Sequence, residues 1–187
     1  LALWSALVWC PLGYSWQVFP DTFDKEFKAV QYLLPIPDWR LLKAQCYQES
    51  RLILGAESPA GAQGLCQFMP LTYKDLQKRY PQVDGSVWES QANILAAALY
   101  MQQQYKFWGS NRTQESRYKL ALANYNAGGG NILKAQKLCN NLSEYQDIVP
   151  PCLAKVTGSK NAKETVGYVH NIWDIWYPAL IINHPKM

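Results

Sequence analysis

Long apolar runs, blocks of like charge and metal-ligand spacings are all scarce in this chain of 187 residues. The apolar opening, even counted to Phe19, is broken by Pro11 and Gly13 and falls short of the about 20 apolar residues that a spanning helix needs. Charged residues make up only 17%, and the net charge of +4 is spread along the chain rather than gathered in a Lys/Arg stripe. That balance favours mildly anionic surfaces and excludes a nucleic-acid footprint, so no nucleic-acid partner is expected. Zinc spacing, a phosphate loop and tandem repeats are missing too, and no metal or organic cofactor is expected. The two histidines, His170 and His184, lie far along the chain with no Cys-His signature, which argues against a catalytic thiol. Alternating strand patterns and convincing hairpins are absent as well. The expected fold is mainly α.

What is present is apolar and aromatic. Hydrophobic residues reach 49% and aromatics 13%, enough for one domain with a real core. Residues 21–187 read as a single domain behind an apolar N-terminal arm, residues 1–20. Asp21 to Leu34 carries Phe23, Phe27, Val30 and Leu34 on one helical face. Pro35-Ile36-Pro37 stops it, and Asp38 then caps a helix through Trp39, Leu42, Cys46 and Glu49 that ends near Gly55. Gly61 to Met69 suits a short helix or turn ended by Pro70, and Thr72 to Tyr80 an exposed helix. Further helices are expected over Ser90–Phe107, Gln114–Asn126, Ile132–Leu138 and Lys163–Trp176. The segment Asn140–Pro151, with Pro150-Pro151, reads as a loop. Trp39, Trp173 and Trp176 fall at core spacing, so no tryptophan is assigned to ligand binding.

The arm Leu1–Cys10 is apolar and has no basic residue ahead of it. It reads either as the remnant of an export or anchor segment or as an arm packed on the domain or on a partner chain. Lipidation at Cys10 is disfavoured by bulky Trp9. Five cysteines are informative only with the compartment known. In an oxidising envelope Cys139 and Cys152 would close the loop between them, contributing about 2–4 kcal/mol. Cys46 and Cys66 would either pair or remain free buried thiols acting as small hydrophobes, and Cys10 is left over.

Four motifs carry chemistry. Gln48-Glu49-Ser50 sets one acid on an amphipathic helix. Gly61-Ala62-Gln63-Gly64-Leu65-Cys66-Gln67-Phe68-Met69-Pro70 follows as a glycine-relaxed turn carrying an amide. Ala123-Asn124-Tyr125-Asn126-Ala127-Gly128 and Glu164-Thr165-Val166-Gly167-Tyr168-Val169 lie downstream. A solvated glutamate titrates near about 4.3, so an acid that is to donate a proton near neutrality needs apolar surroundings. Gln45, Cys46 and Leu42, the uncharged neighbours of Glu49 on preceding turns, offer such surroundings.

In this order and spacing the four motifs resemble the catalytic domain of lytic transglycosylases (the transglycosylase SLT type), with a lysozyme-like fold related to goose-type lysozyme. The resemblance runs from about Pro37 to Trp176. It implies Glu49 as the catalytic acid and base, with Ser50 structural at the helix end. Ser58 would bond the sugar N-acetyl group or the acid, or serve only as a turn serine before Pro59. Gln67 would bond substrate and carboxyl together, and Met69 would line the cleft. Tyr125 would orient Glu49 or stabilise developing charge, and Asn126 would bond backbone or sugar. Glu164 would be a buried anchor or merely a helix-start acid, and Tyr168 would bond sugar or shape the wall. Cys66 stands where the family commonly has methionine, and Asn124 where it has a small residue.

The implied substrate is the glycan strand of peptidoglycan. No second acid accompanies Glu49 in these motifs, as a two-carboxylate hydrolase would require. The resemblance therefore implies that the muramoyl N-acetyl group assists, that the sugar's own 6-hydroxyl attacks, and that a 1,6-anhydromuramoyl end results. Competing readings are a water-using muramidase, with Glu57 as its second acid, and a wall-binding or assembly component without activity. A membrane-active lytic carrier driven by Leu1–Trp9 is a third. The expected location is the cell envelope or periplasm, an exported form, or a phage virion or lysis setting. The arm would contact an envelope, secretion-machine or virion partner.

Overall fold

In a computed structural model the described residues are 19–109 and 111–184; the arm, with Cys10, lies outside them except for Phe19 and Pro20. Ten α-helices succeed one another among the described residues: α1 (Asp24–Ala29), α2 (Trp39–Ser50), α3 (Pro70–Arg79), α4 (Ser90–Phe107), α5 (Gln114–Ala127), α6 (Gly129–Leu138), α7 (Tyr145–Cys152), α8 (Ala154–Thr157), α9 (Ser159–His170) and α10 (Tyr177–Asn183). A 3₁₀ turn at Gln31–Leu33 follows α1, and one stretch of π-helix, Asn171–Trp176, joins α9 to α10. The only β pairing among the described residues is two isolated antiparallel bridges, Glu57 with Gln63 and Gln63 with Phe68.

The core gathers around α2, α4 and α5. Leu41, Leu42, Ala44 and Cys46 of α2 are sealed from solvent, as are Ile94, Ala96, Ala97, Ala98 and Met101 of α4 and Leu120 to Ala123 of α5. Alanines dominate the contact face of α4, so its backbone can approach α5 closely. Asp38 caps α2 as its side chain accepts the Arg40 backbone N–H at 3.1 Å. The helix stops at Ser50, before Gly55, because Arg51 and Leu52 both take left-handed φ values of 58° and 61°.

The first expected helix is shorter than its apolar face suggested, since Val30 leaves helical geometry after α1 and the chain tightens into the 3₁₀ turn. Pro70 opens α3 rather than merely ending the preceding turn, and the Gly61–Met69 segment is that turn. α3 is not wholly exposed, because Tyr73 and Leu76 are buried. The 140–151 segment corrects the loop expectation. Tyr145, Ile148, Val149 and Cys152 are buried at helical spacing in α7. Pro150 and Pro151 cannot bond the carbonyls of Gln146 and Asp147, but all four residues are exposed, so water can satisfy those carbonyls.

Both disulfides considered from the sequence are formed: Cys46–Cys66 and Cys139–Cys152. The second ties the end of α6 to the end of α7. Replacing Cys139 and Cys152 together by serine is expected to lower unfolding free energy by about 3 kcal/mol and leave activity intact, as chemical denaturation alongside a glycan-release assay would show.

Candidate active site

Glu49 lies in the last turn of α2, half-buried, with its carboxyl on a cleft of about 410 Å³. The cleft walls are Gln48 and Glu49 from α2, Asn126 from the end of α5, and Lys163, Glu164 and Tyr168 from α9. Tyr168, buried on α9, donates its hydroxyl proton to Glu49 Oε1 at 2.6 Å across 119 residues of sequence. Burial pushes the Glu49 carboxyl up to about 7, and the Tyr168 hydrogen bond opposes it only in part. Desolvation wins. Tyr168 and Tyr125 are themselves held well above the ordinary tyrosine value, chiefly by burial and then by the Glu49 charge, so both stay neutral.

The turn after α2 is clasped from several sides. Ser50 donates to the Leu65 carbonyl at 2.7 Å and accepts the Ile53 N–H, the structural part expected of it. Cys66 accepts the Tyr125 hydroxyl at its carbonyl at 2.7 Å, while its N–H donates to Asn93 Oδ1 at 3.0 Å. Asn93, buried in α4, also donates to the Val87 carbonyl at 2.8 Å. Gly64 sits against this amide with φ +78°, where an added Cβ would collide with Asn93 Nδ2 and approach the Val87 carbonyl to 2.5 Å. No side chain fits there.

Of the residues singled out in the sequence, Glu49, Asn126, Glu164 and Tyr168 share the cleft. Tyr168 lines the cleft wall and also takes the part expected of Tyr125, holding the acid, while Tyr125 holds the Cys66 carbonyl. Asn126 is exposed, and its Oδ1 accepts the Thr165 hydroxyl at 2.7 Å. Glu164 is not the buried anchor of the expectation; it is exposed on the cleft wall, because it falls one position from buried Thr165 on the solvent side of α9. It also borders a side pocket of about 200 Å³ that Asn131 and Asn161 line. Gln67 Nε2 is spent on the Ala56 and Gly64 carbonyls at 3.0 and 2.9 Å, so the amide holds its own turn and leaves Oε1 as its acceptor. Ser58 accepts the Ala62 N–H at 3.0 Å, a turn bond. Met69 is 46% exposed at the start of α3. Glu57 is exposed and outside the cleft lining.

Three contributors were not assigned from the sequence. Trp176, in the π-helical stretch, donates its indole N–H to Gln48 Oε1 at 2.7 Å, fixing the residue before the acid. Asn93 had no sequence signal beyond a polar residue inside an alanine-rich helical face. Gln45 had one: it stands four residues before Glu49, on the same helix face. Its side chain is fully buried, and neither amide atom closes a hydrogen bond, a cost of about 1–3 kcal/mol for each group left unmade. Among the described residues no group of His, Cys, Asp and Glu is placed to hold a metal ion.

The model of the transglycosylase SLT domain matches residues 36–148, more than half of the chain. The chain belongs to the transglycosylase SLT domain family. Among its relatives is the membrane-bound lytic murein transglycosylase F of Mannheimia succiniciproducens, 36% identical over 110 residues, which are 59% of this chain and 22% of that protein. The protein of the same name in Yersinia enterocolitica is 35% identical over 110 residues, with 59% and 21% covered. The chain thus spans about a fifth of the length of these relatives. The 70 kDa soluble lytic transglycosylase of Escherichia coli is similar in fold, with a TM-score of 0.68 at 24% identity over 90% of this chain and 25% of that one. The fold is therefore the lysozyme-like one of that family.

Two outcomes follow from the burial of the acid and from the clasped turn. Glu49 has its folded value raised from 4.5 to about 7. Its contribution to stability is thus full below pH 4.5 and is lost as pH rises to about 7. Glu49→Gln removes this dependence and is expected to gain up to about 3 kcal/mol relative to the parent between those limits, read by denaturant titration at pH 4 and pH 8. Gly64→Ala is expected to cost about 2–3 kcal/mol, from the left-handed φ and the collision with Asn93, as a drop in melting temperature.

Proposed function

We propose that this domain is a peptidoglycan lytic transglycosylase that cleaves the β-1,4 bond between N-acetylmuramic acid and N-acetylglucosamine and leaves 1,6-anhydromuramoyl ends. The observation that carries the reading is a glutamate on an open cleft, held protonated near neutrality by burial. Glu49 gives its proton to the leaving glycosidic oxygen, and the muramoyl N-acetyl oxygen steadies the electron-poor carbon. The resulting carboxylate, supported by the Tyr168 hydroxyl, then takes the proton of the sugar's 6-hydroxyl as that oxygen attacks. Protonated acid and stabilised anion are both needed in one cycle, and a value near neutrality serves both.

The remaining assignments follow the same geometry. Asn126 and Glu164 bind sugar on the cleft wall, and Met69 lines the approach at its rim. Tyr125, Gln67 and Ser58 support the turn behind the acid. The names of the relatives, membrane-bound lytic murein transglycosylases, support murein as substrate and the cell envelope as location. Two disulfides fit an oxidising compartment of that kind. No helix among the described residues is long and apolar enough to cross a membrane. Residues 1–20 we assign either to an apolar arm that contacts an envelope, secretion-machine or virion partner or to the remnant of an export or anchor segment, and residues 21–187 to the catalytic domain.

Mass spectrometry of digested peptidoglycan tests the reading. Anhydromuramoyl products that vanish with Glu49→Gln are expected, with a loss of at least about a hundredfold. Reducing muramoyl ends would mean that water attacks, and Glu164, the other carboxylate on the cleft, rather than Glu57, would then be the second acid. Full activity in Glu49→Gln would remove both enzymatic readings.

A further inference from the structure

The side pocket of about 200 Å³ shares Asn126 and Glu164 with the main cleft. Its other polar walls are Asn131 of α6, Thr157 at the end of α8, and Asn161 and Thr165 of α9. The hydrogen bonds fix what these groups can offer. Asn131 gives an Nδ2 N–H to the Ala127 carbonyl at 2.8 Å, and Asn161 gives one to the Thr157 carbonyl at 3.0 Å. A carbonyl can only accept, so each amide is oriented with Oδ1 as its unused acceptor. Neither Oδ1 accepts a hydrogen bond from a described residue. The threonine protons are spent as well: Thr157 donates to the Leu153 carbonyl at 3.2 Å and Thr165 to Asn126 Oδ1 at 2.7 Å.

The Glu164 carboxylate is the only formal charge among the residues lining this pocket, and it pairs with no described residue. Lys163, its neighbour in sequence, lines the main cleft and not the pocket. Two amide oxygens and one carboxylate thus stand around a single negative charge. A primary ammonium carries one positive charge, three N–H donors and no acceptor, so it matches the set in both number and sign. Calcium takes about 6–8 oxygen ligands, more than these side chains supply. An anion would meet the carboxylate.

We propose that the side pocket is a subsite for a primary ammonium carried by the glycan strand, held by Asn131 Oδ1, Asn161 Oδ1 and the Glu164 carboxylate. The assignment rests on the reading of the main cleft as the site of peptidoglycan cleavage and adds a substrate preference to it. Two parts of peptidoglycan carry such a group: the diamino acid of a stem peptide that is not cross-linked, and a glucosamine that lacks its acetyl group. Cross-linking or acetylation turns either amine into an uncharged amide with a single N–H. The pocket therefore favours strands with free amines. Glu49 does not line it, so the ammonium is held away from the reacting carbon. Such a contact is the same before and during bond breaking, and it lowers KM without changing kcat.

The test compares kinetics on strands that carry un-cross-linked peptides, on peptide-free strands with free glucosamine amines, and on each of these after acetylation. For the parent, acetylation is expected to raise KM roughly tenfold with kcat unchanged, the loss of one charge-assisted set of hydrogen bonds. Asn131→Leu and Asn161→Leu remove the amide oxygens at nearly constant size. Each is expected to bring KM on free-amine strands towards the acetylated value and to leave KM on acetylated strands as in the parent. A preference seen only with peptide-bearing strands assigns the ammonium to the stem peptide, and one seen with peptide-free strands assigns it to the sugar. Equal KM on free and acetylated strands in the parent, or a preference that both variants keep in full, would overturn the proposal. Should the variants not fold, binding to labelled Glu49→Gln protein decides, with a free-amine muropeptide, a glucosamine oligomer and their acetylated forms as probes. The Asn131 and Asn161 side-chain NH₂ resonances should shift with a free-amine probe and not with its acetylated form; an equal response to both would overturn the proposal. This readout needs no catalysis, so a parent inactive on every strand would strike at the enzymatic reading and leave the pocket to be decided by the resonances.

Discussion

Cys66 is the junction on which the site depends. Its sulfur is bonded to Cys46 on α2, its N–H donates to Asn93 on α4, and its carbonyl accepts from Tyr125 on α5. One residue of a turn is thereby pinned to three helices. The pinning places the turn directly behind the final turn of α2, where Ser50 meets the Leu65 carbonyl. With the turn in place, one side of Glu49 is dry, while α9 supplies the other wall through Tyr168. Substituting methionine at Cys66, the residue the family commonly has there, would keep an apolar filling and both backbone bonds but lose the covalent link. The chain therefore fixes by a bond what packing alone would otherwise hold.

The opposite end of α2 is fixed by charge. Lys43, fully buried, pairs with Asp24 of α1, and Arg40 pairs with Asp38 and donates to the His184 carbonyl at 2.6 Å. Tyr177 of α10 adds a hydrogen bond to Asp38 at 3.1 Å. Buried pairs of this kind contribute little net stability against the loss of hydration, but breaking one leaves an uncompensated charge that costs about 3–5 kcal/mol. They act against slippage: a rotation of α2 by one residue, about 100° on an α-helix, would strand Lys43 away from Asp24 and swing Glu49 out of the cleft. Trp176 bonding Gln48 adds a third restraint next to the acid.

Helices with regular apolar spacing were legible in the sequence, and α4 and α5 lie within a residue or two of their expected bounds. The acid on the cleft was legible too, since four motifs in order single out Glu49 among many. What escaped has physical causes. In α7 the buried residues repeat at helical spacing, but two prolines outweighed the pattern until their solvent exposure was known. The early end of α2 depends on two successive left-handed residues, Arg51 and Leu52, neither of which is a type that favours that region. That Tyr168 rather than Tyr125 bonds the acid is a matter of which helix wall faces it. Short-range pattern carries no information on that, because the two hydroxyls belong to residues 43 positions apart on different helices.

The position of Glu49 within α2 has a further electrostatic consequence. Burial is the main cause of its raised value, and Tyr168 pulls the other way. The last turn of a helix also carries the negative end of the helix dipole, which disfavours an anion there by about 0.3–1 kcal/mol. Moving the same acid to the first turn would reverse that sign and let the backbone N–H groups stabilise the carboxylate. An acid that must hold its proton until substrate arrives is better placed where the helix ends, and the left-handed stop at Arg51 and Leu52 puts the end there. Burial lifts the resting value, the dipole acts in the same direction, and the Tyr168 hydroxyl limits how far it rises. Together they bracket the acid near neutrality, where proton donation and the return of the proton cost about the same.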